Sequence, residues 1–367
     1  MQKAKIITFH NAQNYGAMLQ AYALKETLKD LGLETSFVNY QDKNILADYK
    51  LIRTNSLKSF LSSIYFMPRN IKRKKSFRSF SDKYLNTKTD KCYTKDDVIK
   101  DINNVDIVIA GSDQIWNPNL TGGVSDIYTL NLNTQAKKII YGASVGNEDI
   151  LDIHKEEFKD KLAHLKHISV RENSIKTKLE KMVSKQVNTV LDPTLLLDLS
   201  KWNSLIEENN TDNLKSEEYI LVYTLFESQE ITNIANELSR KTGLKVAHFR
   251  KYNAYTNELK SLYTHGPVDF INAFKNAKYV VTNSFHGTVF SILFERNFFI
   301  VTPNTLSGRI TDLLRMLNLE TRIINGKANI DIDKAIDYVK VRQLLEKEKE
   351  YSINYLKKGI TCQEKNN

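Results

Sequence analysis

The run TNSFHGTVFSILFERNFF, Thr282 to Phe299, sets a histidine between a β-rich run and a helix-like run and beside a glycine. His286 in that position could be a buried packing residue, a phosphate ligand or a proton carrier. It stands at or before the first turn of the expected helix, preceded by Asn283 and Ser284, and Gly287 beside it permits close approach of the backbone. The positive end of a helix disfavours imidazolium unless an anion sits next to it. A bound phosphate would supply that anion and ready His286 as an acid.

Three further segments place polar residues where strands should end. HNAQNYGAMLQ follows the first strand, and Asn14, Tyr15 and Gly16 open a helix whose unpaired N–H groups suit an anion. The plainer reading is an ordinary loop with an Asn cap. AGSDQIWNP puts Ser112 and Asp113 at a strand tip. Asp113 suits a base or a hydrogen-bond partner for sugar hydroxyls, or else caps the following helix. Trp116 is either an apolar face for a sugar ring or part of the core. ISVRENS ends a buried-looking strand in Arg171. A guanidinium avoids full burial unless paired, and its fork fits carboxylate or phosphate. Pairing with Glu172 or another structural carboxylate is the alternative. There is no Walker loop, GxGxxG fingerprint, CxxC or Cys/His cluster with zinc spacing, so neither metal nor cofactor is expected.

The elements that must hold these residues alternate. KAKIITF (Lys3–Phe9) reads as a strand, and Ala17, Ala21, Leu24, Leu28 and Leu31 then repeat along one helical face. Gly32 stops that helix, and Glu34–Tyr40 is the next strand. Val105–Gly111, Lys138–Ser144 and His167–Arg171 follow as strands, and Glu172–Val183 as a helix. The charged stretch Asp42–Lys100 reads as mostly helical. Signals fade over Val190–Glu218, which places a boundary there. Alternation then resumes with strands over Tyr219–Leu225, Lys245–Phe249, Lys278–Ser284 and Phe298–Pro303 and with helices between them. The spacing predicts two doubly wound Rossmann-like α/β domains facing a cleft: residues 1–198, then 199–330 with the motif histidine, then a helical segment, 331–367, packing back on the body. Ligands of such sheets bind beyond the carboxyl ends of the strands, which is where the four segments fall.

The totals are those of a folded, water-facing chain. It has 367 residues, 41% hydrophobic and 26% charged. That suits two domains and gives no ground for disorder. No run is long and apolar enough for a membrane span, and the N-terminus lacks a signal peptide's apolar region, so a cytoplasmic protein is expected. Cys92 and Cys362, far apart in sequence, read as reduced thiols. The net charge is +10. It favours anionic partners, and its densest stretch is PRNIKRKKSFRSF, Pro68–Phe80. That stretch is either a solvated helix face or a patch for an anionic membrane surface or lipid-linked acceptor, with peripheral contact at the inner face of the membrane. No nucleic-acid motif accompanies it.

Taken in order, NYGAMLQAYAL, DIVIAGSDQIWNP, YGASVG, ISVRE, LDPTLLL and TNSFHGTVFSILFERNFF resemble the polysaccharide pyruvyl transferase family over most of the chain. The resemblance implies a two-domain fold similar to the GT-B glycosyltransferases. It also implies transfer of the enolpyruvyl unit of phosphoenolpyruvate to a sugar of a surface polysaccharide or its lipid-linked precursor. The products would be a pyruvate ketal and phosphate. By position, Arg171 matches the arginine thought to hold the donor anion, and His286 matches the histidine proposed as general acid. Many members carry arginine two residues before that histidine. Here Ser284 stands there, and Arg309, at a later strand-to-helix junction, is the cation expected to replace it. A nucleotide-sugar glycosyltransferase and a non-catalytic carbohydrate-binding relative are the competing readings.

Overall fold

The computed structural model describes residues 1–47, 49, 51, 56–85, 87, 90–209, 217–301, 308–324, 331, 332 and 334–362. These fall into two compact units. The first comprises Met1–Lys50, Ser81–Leu197 and Glu346–Asn367, and the second Leu51–Phe80 and Asp198–Leu345. The switch at Asp198 lies beside the expected boundary. Residues 51–80, placed with the N-terminal domain by sequence order, instead belong to the second unit. Their partners are non-local: Arg73 donates to the Tyr263 carbonyl (2.9 Å) and Ser76 to that of Thr264 (3.0 Å). The C-terminal helix Tyr338–Thr361 is divided between the units, and its last part is tied to the first. Lys137 there donates to the Ile360 carbonyl (2.7 Å) and Tyr355 to that of Ile140 (2.8 Å).

The first unit is built on a parallel sheet. Strands β1 (Lys3–Ile7), β2 (Glu34–Phe37), β3 (Ile107–Ala110) and β4 (Lys137–Ile140) stand in the order β2-β1-β3-β4. The short pair β5 (Ser169–Val170) and β6 (Asn188–Thr189) continues it, through parallel bridges from Ile139 to His167 and from Ala143 to Val170. The β3 sequence IVIA is apolar throughout and buried on both faces, as a central parallel strand covered by helices must be. The helix Tyr15–Asp30 supplies one cover, burying Leu19, Leu24 and Leu28.

The second unit repeats the plan. Strands β7 (Tyr219–Tyr223), β8 (Lys245–His248), β9 (Tyr279–Thr282), β10 (Asn297–Val301) and β11 (Ile323–Ile324) form an all-parallel sheet ordered β11-β10-β9-β7-β8. Helices Gln229–Thr242, Pro267–Asn276 and Phe285–Leu293 connect successive strands. The first is capped by the Ser228 hydroxyl, which accepts from Ile231 N–H (3.2 Å), and is ended by Gly243 at φ +74°. The stretch where sequence signals fade contains a helix, Leu199–Glu207, that buries Trp202 against Phe290 (ring centroids 5.3 Å apart). The Asp42–Lys100 stretch is helical over Lys43–Ala47, Leu57–Tyr65, Met67–Phe80, Ser81–Leu85 and Lys95–Ile102. Among the described residues no helix is long and apolar enough to cross a membrane.

Candidate active site

Both sheets carry polar residues at their carboxyl ends. In the first unit β3 ends at Ala110 and the chain turns at Gly111. A Cβ on Gly111, which has φ +126°, would lie 1.9 Å from the Tyr141 carbonyl oxygen, so the turn admits only glycine. Ser112 is fully buried. Its N–H donates to Gln20 Oε1 (3.2 Å), its hydroxyl donates to the Gly142 carbonyl (3.0 Å), and Asp192 Oδ2 stands 3.4 Å from that hydroxyl. Gln20 also donates to Thr8 Oγ1 (2.8 Å), which joins the tip of β1 to the same network.

Asp113 adopts φ +72°, and its Oδ1 accepts from Gln114 N–H (2.9 Å). Arg171 Nη2 lies 3.6 Å from that oxygen. The Arg171 side chain is 1% exposed, and Nη1 donates to the carboxylate of Asp192. Asp192 Oδ1 accepts from the Thr194 N–H (3.0 Å) and hydroxyl (2.6 Å). Burial opposes the charge on Arg171, but the carboxylates of Asp192, Asp113 and Glu172 outweigh it and hold the guanidinium pKa above its ordinary value. The sequence expectation of a structural carboxylate partner is met by Asp192, and Glu172 accepts from the Ser144 hydroxyl (2.5 Å).

The first helix start is a self-contained cap. Asn14 Oδ1 accepts from Ala17 N–H (3.2 Å), while Tyr15 and Gly16 are buried. Trp116 is core, 2% exposed, with its indole N–H on the Tyr128 carbonyl (3.0 Å). Sequence reasoning passed over His10, just beyond β1. It is buried, stacked on Phe37 at 5.3 Å, with Nδ1 3.0 Å from the Thr8 carbonyl. A carbonyl only accepts, so Nδ1 carries the proton. Burial pushes the His10 pKa down to about 4, against smaller raising effects from Thr8 and Asn39. It also passed over Asp192, 21 residues beyond Arg171. The one local signal was an Asp before Pro with Thr two residues on.

In the second unit β9 ends at Thr282 and the helix Phe285–Leu293 begins almost at once. Ser284 caps it, accepting from Gly287 N–H (3.4 Å), and donates its own N–H to Thr282 Oγ1 (3.0 Å). A Cβ on Gly287 would meet Thr282 Oγ1 at 2.2 Å, so this glycine lets the helix sit close on the strand tip. Asn283 is a clamp. Its Oδ1 accepts from Leu225 N–H (2.9 Å), and its Nδ2 donates to the Phe226 carbonyl (2.9 Å). His286, 7% exposed, lies in the first helical turn with its ring edge-on to Phe285 (centroids 5.3 Å apart). Arg309, half-buried in the helix Gly308–Met316, holds its guanidinium carbon 5.6 Å from the centre of that Phe285 ring. Thus Ser112, Asp113 and Arg171 are brought together in one unit, and Asn283, Ser284, His286, Gly287 and Arg309 in the other.

Each unit thus holds a Rossmann-like parallel sheet with polar groups gathered at the carboxyl ends of its strands. The model of the polysaccharide pyruvyl transferase family matches residues 14–305, and the chain belongs to that family. It is therefore a transferase of polysaccharide biosynthesis. A comparison with curated proteins finds no match. Solved structures of the same fold include a Listeria monocytogenes protein assigned as a UDP-N-acetylglucosamine 2-epimerase (11% identity, TM-score 0.52, covering 100% of this chain and 98% of that one). Another is the MnaA–UDP complex from S. aureus (14% identity, TM-score 0.51, covering 100% and 99%). At such identities the likeness is one of fold.

Proposed function

We propose that the protein transfers the enolpyruvyl group of phosphoenolpyruvate to a sugar of a surface polysaccharide or its lipid-linked precursor. The observation that carries this reading is the arrangement at the second unit's helix start, where a buried imidazole and a half-buried guanidinium flank one phenyl ring. Phosphoenolpyruvate bears about three negative charges near neutral pH. Arg309 and the N–H groups of the Phe285–Leu293 helix meet part of that charge, which compensates for Ser284 at the position where many members hold arginine. His286 donates a proton to the methylene carbon, and positive charge develops at C2. A sugar hydroxyl attacks C2 and gives up its proton. The C2–O bond to phosphate breaks, and a second hydroxyl closes the ring. One hydroxyl proton ends in the new methyl group and the other on phosphate. A positioned acid of this kind contributes about 10²–10⁴-fold in rate.

The test is mass spectrometry of surface-type oligosaccharides incubated with protein and phosphoenolpyruvate, with and without a chelator. A ketal adduct that forms equally in chelator is the expected result. An adduct formed only from a nucleotide sugar would replace this reading with glycosyl transfer, and restoration by magnesium after chelation would overturn metal independence.

A further inference from the structure

The helix Leu57–Tyr65 is amphipathic in the wrong sense for a packed helix. Four of its apolar side chains face out: Phe60 is 39% exposed, Leu61 57%, Ile64 46% and Tyr65 79%, whereas Ser63 is buried. Burial of such groups is the main source of folding energy, so a helix that hides serine and shows phenylalanine and leucine is shaped for something outside the fold. The next helix, Met67–Phe80, continues almost without a break: Phe66 N–H donates to the Ser62 carbonyl and Asn70 N–H to that of Phe66 (2.9 Å). Counting by threes and fours from Phe60, the exposed stripe runs through Ile64, Pro68, Ile71, Lys75 and Arg78. It is apolar at its amino end and cationic at its carboxyl end, where Lys72 flanks it.

The opposite face is fixed to the second unit. Arg69 donates to the Lys251 carbonyl and Arg73 to that of Tyr263 (2.9 Å), Tyr263 hydroxyl donates to Asn70 (2.9 Å), and Phe77 and Phe80 are buried. The stripe is therefore held rigidly outward. Lys72 also lines a recess of about 510 Å³ with Lys260 and His265, where Lys245 is paired with Glu217 (3.1 Å). That recess extends the cationic end into a place fit for a headgroup phosphate.

We propose that this stripe docks the protein on an anionic lipid bilayer. Phe60, Leu61, Ile64 and Tyr65 enter the boundary between headgroups and acyl chains, and Lys72, Lys75 and Arg78 lie on the anionic headgroups. The occupant is chosen by charge complementarity: apolar and cationic groups on one helical face match the layered chemistry of an anionic membrane surface. This docking is independent of the chemistry proposed for the site, because its test measures binding without turnover.

The test is co-sedimentation of the full chain with phosphatidylcholine vesicles, with and without about 30% phosphatidylglycerol. Binding should require the anionic lipid and weaken on going from roughly 0.1 M to roughly 1 M salt. Lys72→Gln, Lys75→Gln and Arg78→Gln together should weaken it on the order of 100-fold, about fivefold per charge. Leu61→Ser with Ile64→Ser should abolish the salt-resistant remainder, with an unchanged melting curve, since both side chains face solvent. Equal binding to both vesicle types, or indifference to both sets of variants, would overturn the proposal. So would an apolar variant that changed only the oligomeric state, which would make the stripe an interface between copies of this chain.

Discussion

Each unit holds a buried histidine at a strand tip, and the two are set up for different things. His10, beyond β1, is enclosed: Nδ1 is on a carbonyl, the ring is stacked on Phe37, and burial pushes its pKa down to about 4. In the same unit Arg171 is paired with Asp192, with Asp113 Oδ1 3.6 Å from its guanidinium and the Ser112 hydroxyl 3.4 Å from Asp192. His286 instead lies in a helix's first turn, in contact with a phenyl ring that a half-buried guanidinium also approaches. The same residue type thus serves as neutral packing in one unit and as a candidate proton donor in the other. Burial is nearly equal; what differs is the company, an internal carbonyl against a helix N-terminus and a phenyl ring that a guanidinium also approaches. The arginines differ likewise, since Arg171 is closed against buried carboxylates and Arg309 is half-buried over the Phe285 ring.

If the first unit's network is structural, breaking it costs stability before anything else. Arg171→Met leaves the Asp192 carboxylate buried without its cation, and about 3–5 kcal/mol should be lost in urea unfolding. Asp192→Leu added to it should recover much of that loss. A variant as stable as wild type would dissolve the contrast between the arginines.

His10 sharpens the comparison through pH. Its folded pKa, about 4, lies below its ordinary value of 6.5, so the unfolded chain binds more protons between those limits. Stability is complete above pH 6.5 and falls as pH drops toward 4, by about 3 kcal/mol from this group. His10→Gln should flatten that part of a melting-temperature profile relative to wild type. A parallel pair of profiles would show that His10 does not stay neutral in the fold.

On the other side of the contrast, Arg309→Ala should raise the KM for phosphoenolpyruvate about 10- to 100-fold, the worth of a lost charge-assisted hydrogen bond. It should leave the melting temperature near that of wild type. An effect on stability alone would return Arg309 to packing on Phe285. The smallest effect expected is that of Ser284→Ala, about 1 kcal/mol from the lost helix cap, read by thermal unfolding.

Much of this was legible in the sequence because parallel strands advertise themselves. IVIA and YILVY are short, apolar and rich in β-branched or aromatic residues, and they became β3 and β7. His286, Gly287 and Ser284 were legible as a strand-to-helix junction because a glycine, a capping serine and a histidine fall within four residues. What depends on distant partners was not. Nothing local in residues 51–80 says that they pack with residues 251–266, and the helix Leu199–Glu207 shows its inward face only once Phe290 is placed against Trp202. The Arg171–Asp192 pair joins the ends of two strands across an intervening helix, a relation that spacing alone does not encode.

The central claim is that His286 delivers the proton. It is tested most directly by phosphate release from phosphoenolpyruvate with a panel of surface-type sugar acceptors, comparing wild type with His286→Gln. Acceptor-dependent release that falls about 10²–10⁴-fold in the variant, at an unchanged melting temperature, is the predicted result. Release that proceeds equally in the variant would contradict it.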